Sequence, residues 1–424
     1  MPPPVAAAFM WLGSRFLAKV GTVGLVRGFK RFEKNYGRQK AVGLGRKVLW
    51  GVTGVGGVIV VSNTDTLPQE FGGRKRILLV DTNTAKSIGD LGSSAIKNAP
   101  KVDNMRSAEV GQPLSERTVE FKQCAFIVNE VIMAYNNTVA KEVGLPQFCM
   151  GELYVIRHPT PNACTFPNGD IHVNTGLLQL AHHVARQDSK GFLGAHDMLA
   201  FVLGHEIGHN VLQHMKERIS TASLVSAIKM ILCATISMVL PPGADGVVEG
   251  LLFFGLDDKV EGLLVNLPYS RLHEMEADHL GMLIAAAACY DSAEGSSAFF
   301  NAMKELEKGR GLLGDVGRGK AEATKTKITT TKTTTEAEKI GADAKGVLRK
   351  EEKEEKEESP VSASYYSTHP PSDTRQKATG ALAARAQTSF GSAACTQKRK
   401  DFKVAARKLT GWRDWHPFST NRGW

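Results

Sequence analysis

The chain has 424 residues, 42% of them hydrophobic, enough to bury one catalytic domain with additions but not two full enzymes. Much of its formal charge of +10 lies in roughly the first fifty and the last thirty residues, and no nucleic-acid motif lies between, so no nucleic-acid partner is expected. The six cysteines (Cys124, Cys149, Cys164, Cys233, Cys289 and Cys395) include no Cys-x-x-Cys pair; this argues against a cysteine zinc site, offers no clear disulfide framework and makes free thiols the expectation.

Residues 1–47 carry Arg15, Lys19, Arg27 and further Lys and Arg as far as Lys47, against the single acid Glu33. An acid-poor, arginine-bearing start of this kind reads as a mitochondrial transit segment. Residues 48–62 are uncharged and glycine-rich. They fall short of the roughly 20 residues that span a bilayer comfortably. With Arg46 and Lys47 before them and Asp65 after, they still read as a membrane anchor, its N-terminal side in the matrix. Further on, Phe166-Pro167-Asn168-Gly169-Asp170 has the Asn-Gly signature of a tight turn. Segments 154–156 and 171–173 flank it as short strands, so a hairpin is expected.

A continuous helix is predicted from about 197 to 218, with Asp197 as its N-cap and Met198, Phe201, Val202, Val211, Leu212 and Met215 at helical spacing. Within it stands His205-Glu206-Ile207-Gly208-His209. One helical turn, about 6 Å of axis, separates the two histidines and points both imidazoles at one spot. That pattern is a zinc site with its own general base: zinc brings the pKa of water to about 7, and Glu206 removes the proton. His214 lies about 140° around the same helix from His209, off the metal-facing side, and reads as structural. The other histidines (His158, His172, His182, His183, His196, His279 and His416) have no ligand spacing and read as surface or satisfied core residues.

Two apolar stretches follow, 221–240 interrupted by Lys229 and 246–267 interrupted by Glu249, Asp257, Asp258, Lys259 and Glu261. Charge at mid-span is costly in lipid, so buried or interfacial helices are expected. A catalytic zinc needs a third protein ligand and an open position. The segment 270–278 heads a helical run to Tyr290 and offers one: Glu274 and Asp278, four apart, share a face, so one can bind metal while the other orients a ligand histidine. Periodicity alone leaves Glu276 and His273 as rival ligands. Residues 314–360 are almost devoid of apolar side chains and read as a disordered insertion. Thr368-His369-Pro370-Pro371 reads as a rigid turn, and the tail with Trp412, Trp415 and Trp424 suits either a membrane interface or the core.

The His205–His209 pentad with His214, then Glu274-Met275-Glu276-Ala277-Asp278, then Thr368-His369-Pro370-Pro371 with Arg375, resembles the membrane-associated zinc metalloendopeptidases of the CaaX-protease type. Segments 73–80 and 162–169 are similar to those of the mitochondrial inner-membrane branch, whose activity overlaps that of the m-AAA protease. The resemblance covers roughly 70–310 and 365–390, and the long insertion before His369 departs from the family's pattern. It implies Glu274 as the third ligand and Asp278 as the group orienting a ligand histidine. It gives His369 or Arg375 a place near the zinc, for oxyanion stabilisation or as a movable fourth ligand. It also implies a strand edge at Asn162, Ala163 and Cys164 that holds an extended peptide.

The expected fold is therefore α+β and mainly helical, a gluzincin domain with a small, partly antiparallel sheet beside the zinc helix. The expected division is 1–47 transit segment, 48–62 anchor, 70–313 metallopeptidase domain, 314–360 insertion, 361–390 final catalytic segment and 391–424 basic tail. The expected function is zinc-dependent hydrolysis of misfolded or regulatory membrane proteins at the mitochondrial inner membrane, with the catalytic domain on the intermembrane-space side. Expected partners are polypeptide substrates and membrane lipid, with homo-oligomerisation left open. Three alternatives are a zinc-bearing chaperone or scaffold with vestigial proteolysis, a polytopic prenyl-protein protease, and an accidental motif that binds no stoichiometric zinc.

Overall fold

The computed structural model describes residues 28, 31–97, 111–187, 191–239, 267–307, 373–390 and 395–400. The expected transit segment up to residue 27, most of the 246–267 stretch, the 314–360 insertion, His369 with its prolines, and the tail tryptophans lie outside these residues.

In chain order, α1 (Arg38–Ser62) leads into a hairpin of β1 (Thr64–Thr66) and β2 (Lys75–Ile77), in which Asp65 stands opposite Arg76. Next comes α2 (Thr82–Lys97), started by Asp81, whose carboxylate accepts from the backbone N–H groups of Asn83 and Thr84. Then α3 (Val119–Ala134) begins at Thr118, whose hydroxyl accepts from Phe121 N, and continues through a π turn into the short α4 (Ala140–Val143). Three strands follow, β3 (Leu153–Ile156), β4 (Ala163–Thr165) and β5 (Ile171–Asn174). The helices α5 (Thr175–Gln187), α6 (Gly191–Val211), α7 (His214–Val239), α8 (Leu267–Ala287), α9 (Ser292–Glu307) and α10 (Asp373–Phe390) complete the described elements. The fold is mainly helical with small sheets, as the sequence indicates.

Helix α6 is the axis of the domain because it is enclosed on every side: residues 194–208 are all buried, most of them apolar, with His196, Asp197, His205 and Glu206 the polar exceptions. It packs on α3, α5, α8 and α9, with α10 laid over α8 and α9. Small residues set how closely α6 and α8 cross. A Cβ on Gly281 would stand 2.8 Å from His205 N, and one on Gly204 3.1 Å from Gly281 O. Phe201, fully buried, fixes the other flank against Phe299 and Phe300, with ring centroids 5.9 and 6.1 Å away.

Four expectations need correction. The strands 154–156 and 171–173 do pair, but in parallel; the sheet order is β3-β5-β4, and the tight turn joins β4 to β5. The turn closes with Phe166 N on Asp170 O at 2.9 Å, which is too short a connection for any but its immediate flanks. The predicted 197–218 helix is two helices, broken after Val211, with Gln213 in the left-handed region at φ 57°. Asp197 is not an N-cap, because α6 starts six residues earlier, at Gly191. It is buried and accepts from Asp291 N and from the Arg399 guanidinium, each at 2.8 Å. Finally, Cys289 and Cys395 are not free thiols: their Cα atoms are 4.9 Å apart and they form a disulfide. A separation of 106 residues hides such a pair from any spacing rule.

The apolar 48–62 stretch forms the C-terminal part of α1, whose 25 residues extend about 37 Å. Its apolar side chains face outward, Trp50 and Val61 each 76% exposed. Among the described residues α1 is the one helix long and apolar enough to cross a membrane. The 221–239 part of the next apolar stretch belongs to α7, where Ile228 is 55% exposed.

Candidate metal centre

The α6–α8 crossing brings the pentad against the Glu274 turn. His205 Nε2 and His209 Nε2 lie 3.0 Å apart, and Glu274 reaches them with Oε2 at 3.5 Å and Oε1 at 3.3 Å respectively. A tetrahedral zinc with bonds of about 2.0–2.2 Å needs donors about 3.3 Å from one another, so these three residues fit such an ion. Glu276, the rival carboxylate, turns away to Arg74 and His214, and His273 faces Glu217 at 3.2 Å.

The surroundings also suit a cation. Asp278 Oδ1 is 2.9 Å from His205 Nδ1, so that imidazole keeps Nε2 for the centre. Burial works against a charged His205, yet hydrogen bonds and charge from Asp278 and Glu274 outweigh it and push the group up to about 10. Burial alone would raise Asp278, but the Arg375 guanidinium holds it below the ordinary carboxylate range. Arg375, 3% exposed, gives Nε to Asp278 Oδ2 at 2.7 Å and sets Nη1 2.9 Å from Glu274 Oε2. The sequence places Arg375 near the centre, and there it stands; its partners are the two carboxylates.

Glu206, 2% exposed, follows His205 on α6 and lies near enough to Cys164 for its charge to bear on the thiol, which burial and that charge hold well above the usual range. Cys164 lies on β4, an edge of the three-stranded sheet that packs on α6. Asn162 O accepts from Asn174 N at 2.9 Å, and Ala163 pairs with Val173. Asn162, Ala163 and Cys164 thus line an edge next to the helix that carries Glu206.

His214 stays off the metal-facing side, as its spacing suggests, but its contact with His209 could not be read from an unbroken helix. On one unbroken helix it would point away from His209; the break at residues 212–213 returns its Nδ1 to 2.9 Å from His209 Nδ1. Glu276 and Arg74 complete that cluster. Burial first, then the neighbouring His209 and His273, hold His214 well below the ordinary histidine range. Other histidines lie away from the centre: His172 on Ser93 at 2.9 Å, His182 and His196 sharing Gln123, and His279 facing Glu70 at 2.9 Å, with the buried Nδ1 of His172 lacking a hydrogen-bond partner among the described residues.

Residues 128–383 match the model of peptidase family M48. The chain is 35% identical over 155 residues to "Metalloendopeptidase OMA1, mitochondrial" of Bos taurus, covering 37% of this chain and 26% of that protein. It is 36% identical over 140 residues to "Mitochondrial metalloendopeptidase OMA1" of Schizosaccharomyces pombe, 33% of this chain and 34% of the yeast protein. A longer match to "Metalloendopeptidase OMA1, mitochondrial" of Danio rerio is 25% identical over 225 residues and takes in 53% of this chain and 40% of that protein. The chain therefore spans between about a quarter and two fifths of the length of these relatives. With a family match running from α3 into α10 and across the whole His205–His209–Glu274 cluster, the chain belongs to peptidase family M48, the metallopeptidases.

Proposed function

We propose that this protein is a zinc-dependent metalloendopeptidase of the mitochondrial inner membrane that cleaves misfolded or regulatory membrane proteins. The observation that carries the reading is the convergence of His205 Nε2, His209 Nε2 and the Glu274 carboxylate from two helices onto one point, with buried Glu206 next in the chain to His205. Zinc, when bound there, acidifies water and polarises a peptide carbonyl. Glu206 takes the water's proton and returns it to the leaving amine, a role its position next to ligand His205 allows. Asp278 holds the His205 ring, and Arg375 holds Glu274 and Asp278 in place, a positioning role that its contacts favour over direct oxyanion stabilisation. The donor for the developing oxyanion is then sought in His369. An extended substrate adds to the β4 edge at Asn162, Ala163 and Cys164 through main-chain hydrogen bonds, which read sequence loosely and suit unfolded substrates.

Membrane attachment through α1 rests on its length, its outward apolar faces and the basic residues Arg38, Lys40, Arg46 and Lys47 in its first half. That charge favours a matrix-side N-terminus and puts the metal centre across the membrane. The Cys289–Cys395 disulfide supports an oxidising surrounding for the domain, as the intermembrane-space side requires. The mitochondrial names of the relatives point the same way.

Elemental analysis and a protease assay test this together. The wild type should hold one zinc per chain and His205→Ala or Glu274→Ala none, while Glu206→Gln should keep the metal and lose at least about 10²–10⁴-fold in turnover. A Glu206→Gln protein that still cleaves refutes the role of Glu206. A wild type with zinc but no cleavage favours the scaffold reading.

A further inference from the structure

Behind His209 the fold builds a polar chain to which the catalytic scheme assigns no task. The Nε2 of His209 faces Glu274, while its Nδ1 meets His214 Nδ1 at 2.9 Å. His214 Nε2 in turn is 3.1 Å from Glu276 Oε2. Glu276 accepts from Arg74 Nε at 2.8 Å and Nη2 at 3.0 Å, and the same guanidinium gives Nη2 to Glu217 Oε2 at 2.9 Å. The His273 ring stacks on His214 with centroids 4.2 Å apart and completes the enclosure.

The chemistry of these groups fixes the direction of every hydrogen bond. Arginine only donates, so Glu276 meets it as a carboxylate and can only accept. His214 must then carry its hydrogen on Nε2 and leave Nδ1 bare. A bare Nδ1 accepts, so His209 must donate from its own Nδ1, which leaves the lone pair on Nε2 aimed at Glu274 and His205. No other arrangement of neutral rings satisfies the three contacts. Arg74 sits between β1 and β2, three residues past Phe71, where Gly72 and Gly73, at φ 74° and 61°, turn the chain back. Its neighbour Arg76 donates to the carbonyl of Leu212, at the helix break that delivers His214.

We propose that Arg74, Glu276 and His214 are a positioning relay that locks His209 in its metal-binding tautomer, so that seating of the hairpin directly after α1 sets the metal affinity of the centre. The inference rests on the zinc reading of the site. His205 is served by Asp278 on the neighbouring helix; His209 depends on a segment that enters from the membrane-type helix. Displacement of the hairpin therefore loosens one ligand while the other keeps its support.

The test uses the full-length chain, with zinc affinity measured by chelator competition, the visible spectrum of the cobalt(II)-loaded protein, and thermal melting of the metal-free protein. His214→Phe keeps a ring but no acceptor and should weaken zinc about 10–100-fold, with an altered cobalt spectrum. His214→Asn sets an amide oxygen near the place of Nδ1 and should recover most of that affinity. Arg74→Met should weaken zinc in the wild-type background and add little to His214→Phe, since both act along one path. Unchanged zinc affinity and cobalt spectrum in His214→Phe overturn the relay, as do Arg74 and His214 effects that simply add. If metal-free His214→Phe does not fold, His214→Asn and Arg74→Met decide it through the same affinity measurement. A wild type that binds no zinc defeats the metal reading itself; a wild type that binds one zinc beside indifferent variants defeats only the relay.

Discussion

The two sides of the metal centre are each held by an arginine that grips two carboxylates, but the grips differ in depth. On the α10 side Arg375, 3% exposed, touches Glu274 and Asp278 themselves. On the hairpin side Arg74, with a side chain 18% exposed, holds Glu217 and Glu276 one layer farther back and reaches His209 only through His214. Depth decides what water can replace. Solvent at the rim can substitute for part of what Arg74 does, whereas nothing comparable can neutralise two carboxylates buried beside Arg375.

The largest expected effect follows from that contrast. Arg375→Met leaves Glu274 and Asp278 buried without their cation and should cost about 3–5 kcal/mol in metal-free protein, close to the whole stability of many domains. Arg74→Met should cost less, about 1–3 kcal/mol. Urea denaturation of the metal-free variants checks the order; equal losses would mean that depth does not distinguish the two arginines. Added zinc should narrow the Arg375→Met deficit, because the ion supplies the missing positive charge to the same carboxylates.

How much of this could be read from the sequence divides along the same line. His205, Glu206 and His209 were legible because the pentad sets two histidines one helical turn apart on one face. Periodicity put Glu274 and Asp278 on a shared face, but only the resemblance chose Glu274 over Glu276 and His273. Arg375 came only with the family resemblance, since nothing in its own neighbourhood marks it. Arg74 and Glu276 were illegible as a pair: they are 202 residues apart and meet only in the folded chain. The sheet was partly legible: two of its three strands could be read from the residues and β4 came with the resemblance, but the pairing was not read, because nothing local tells where the six residues between β3 and β4 carry the chain. The Cys289–Cys395 bond belongs with Arg74, a contact of tertiary structure alone.

Acid sharpens the comparison on the hairpin side. Burial raises Glu217, but hydrogen bonds and charge from His273 and Arg74 outweigh it and bring it down to about 2, from an ordinary 4.5. A folded value below the unfolded one means the stabilisation is complete above pH 4.5 and fades as pH falls through 2. For a side chain only 1% exposed this amounts to about 3 kcal/mol. Glu217→Gln should therefore sit well below the wild type at pH 7 and close to it near pH 2 in urea midpoints. A gap that stays constant with pH would show that Glu217 contributes packing and no charge.

The smallest effect concerns the backbone that makes the hairpin-side cluster possible. Helices commonly end on a glycine in the left-handed region, and here that place is taken by Gln213 at φ 57°. Lacking that glycine, the sequence gives no sign of a break, and the run from Met198 to Met215 reads as one helix. The left-handed conformation costs a side-chain-bearing residue about 1 kcal/mol, offset here by the contacts that the turn permits, His214 with Glu276 and the Leu212 carbonyl with Arg76. Gln213→Gly should relieve that strain and raise stability by about 0.5–1 kcal/mol, with zinc affinity unchanged. Gln213→Val, which resists this conformation more strongly, should lower stability and zinc affinity together, because a straighter helix carries His214 away from His209. Val and Gly variants with the same metal affinity would separate the break from the ligand it is held to serve.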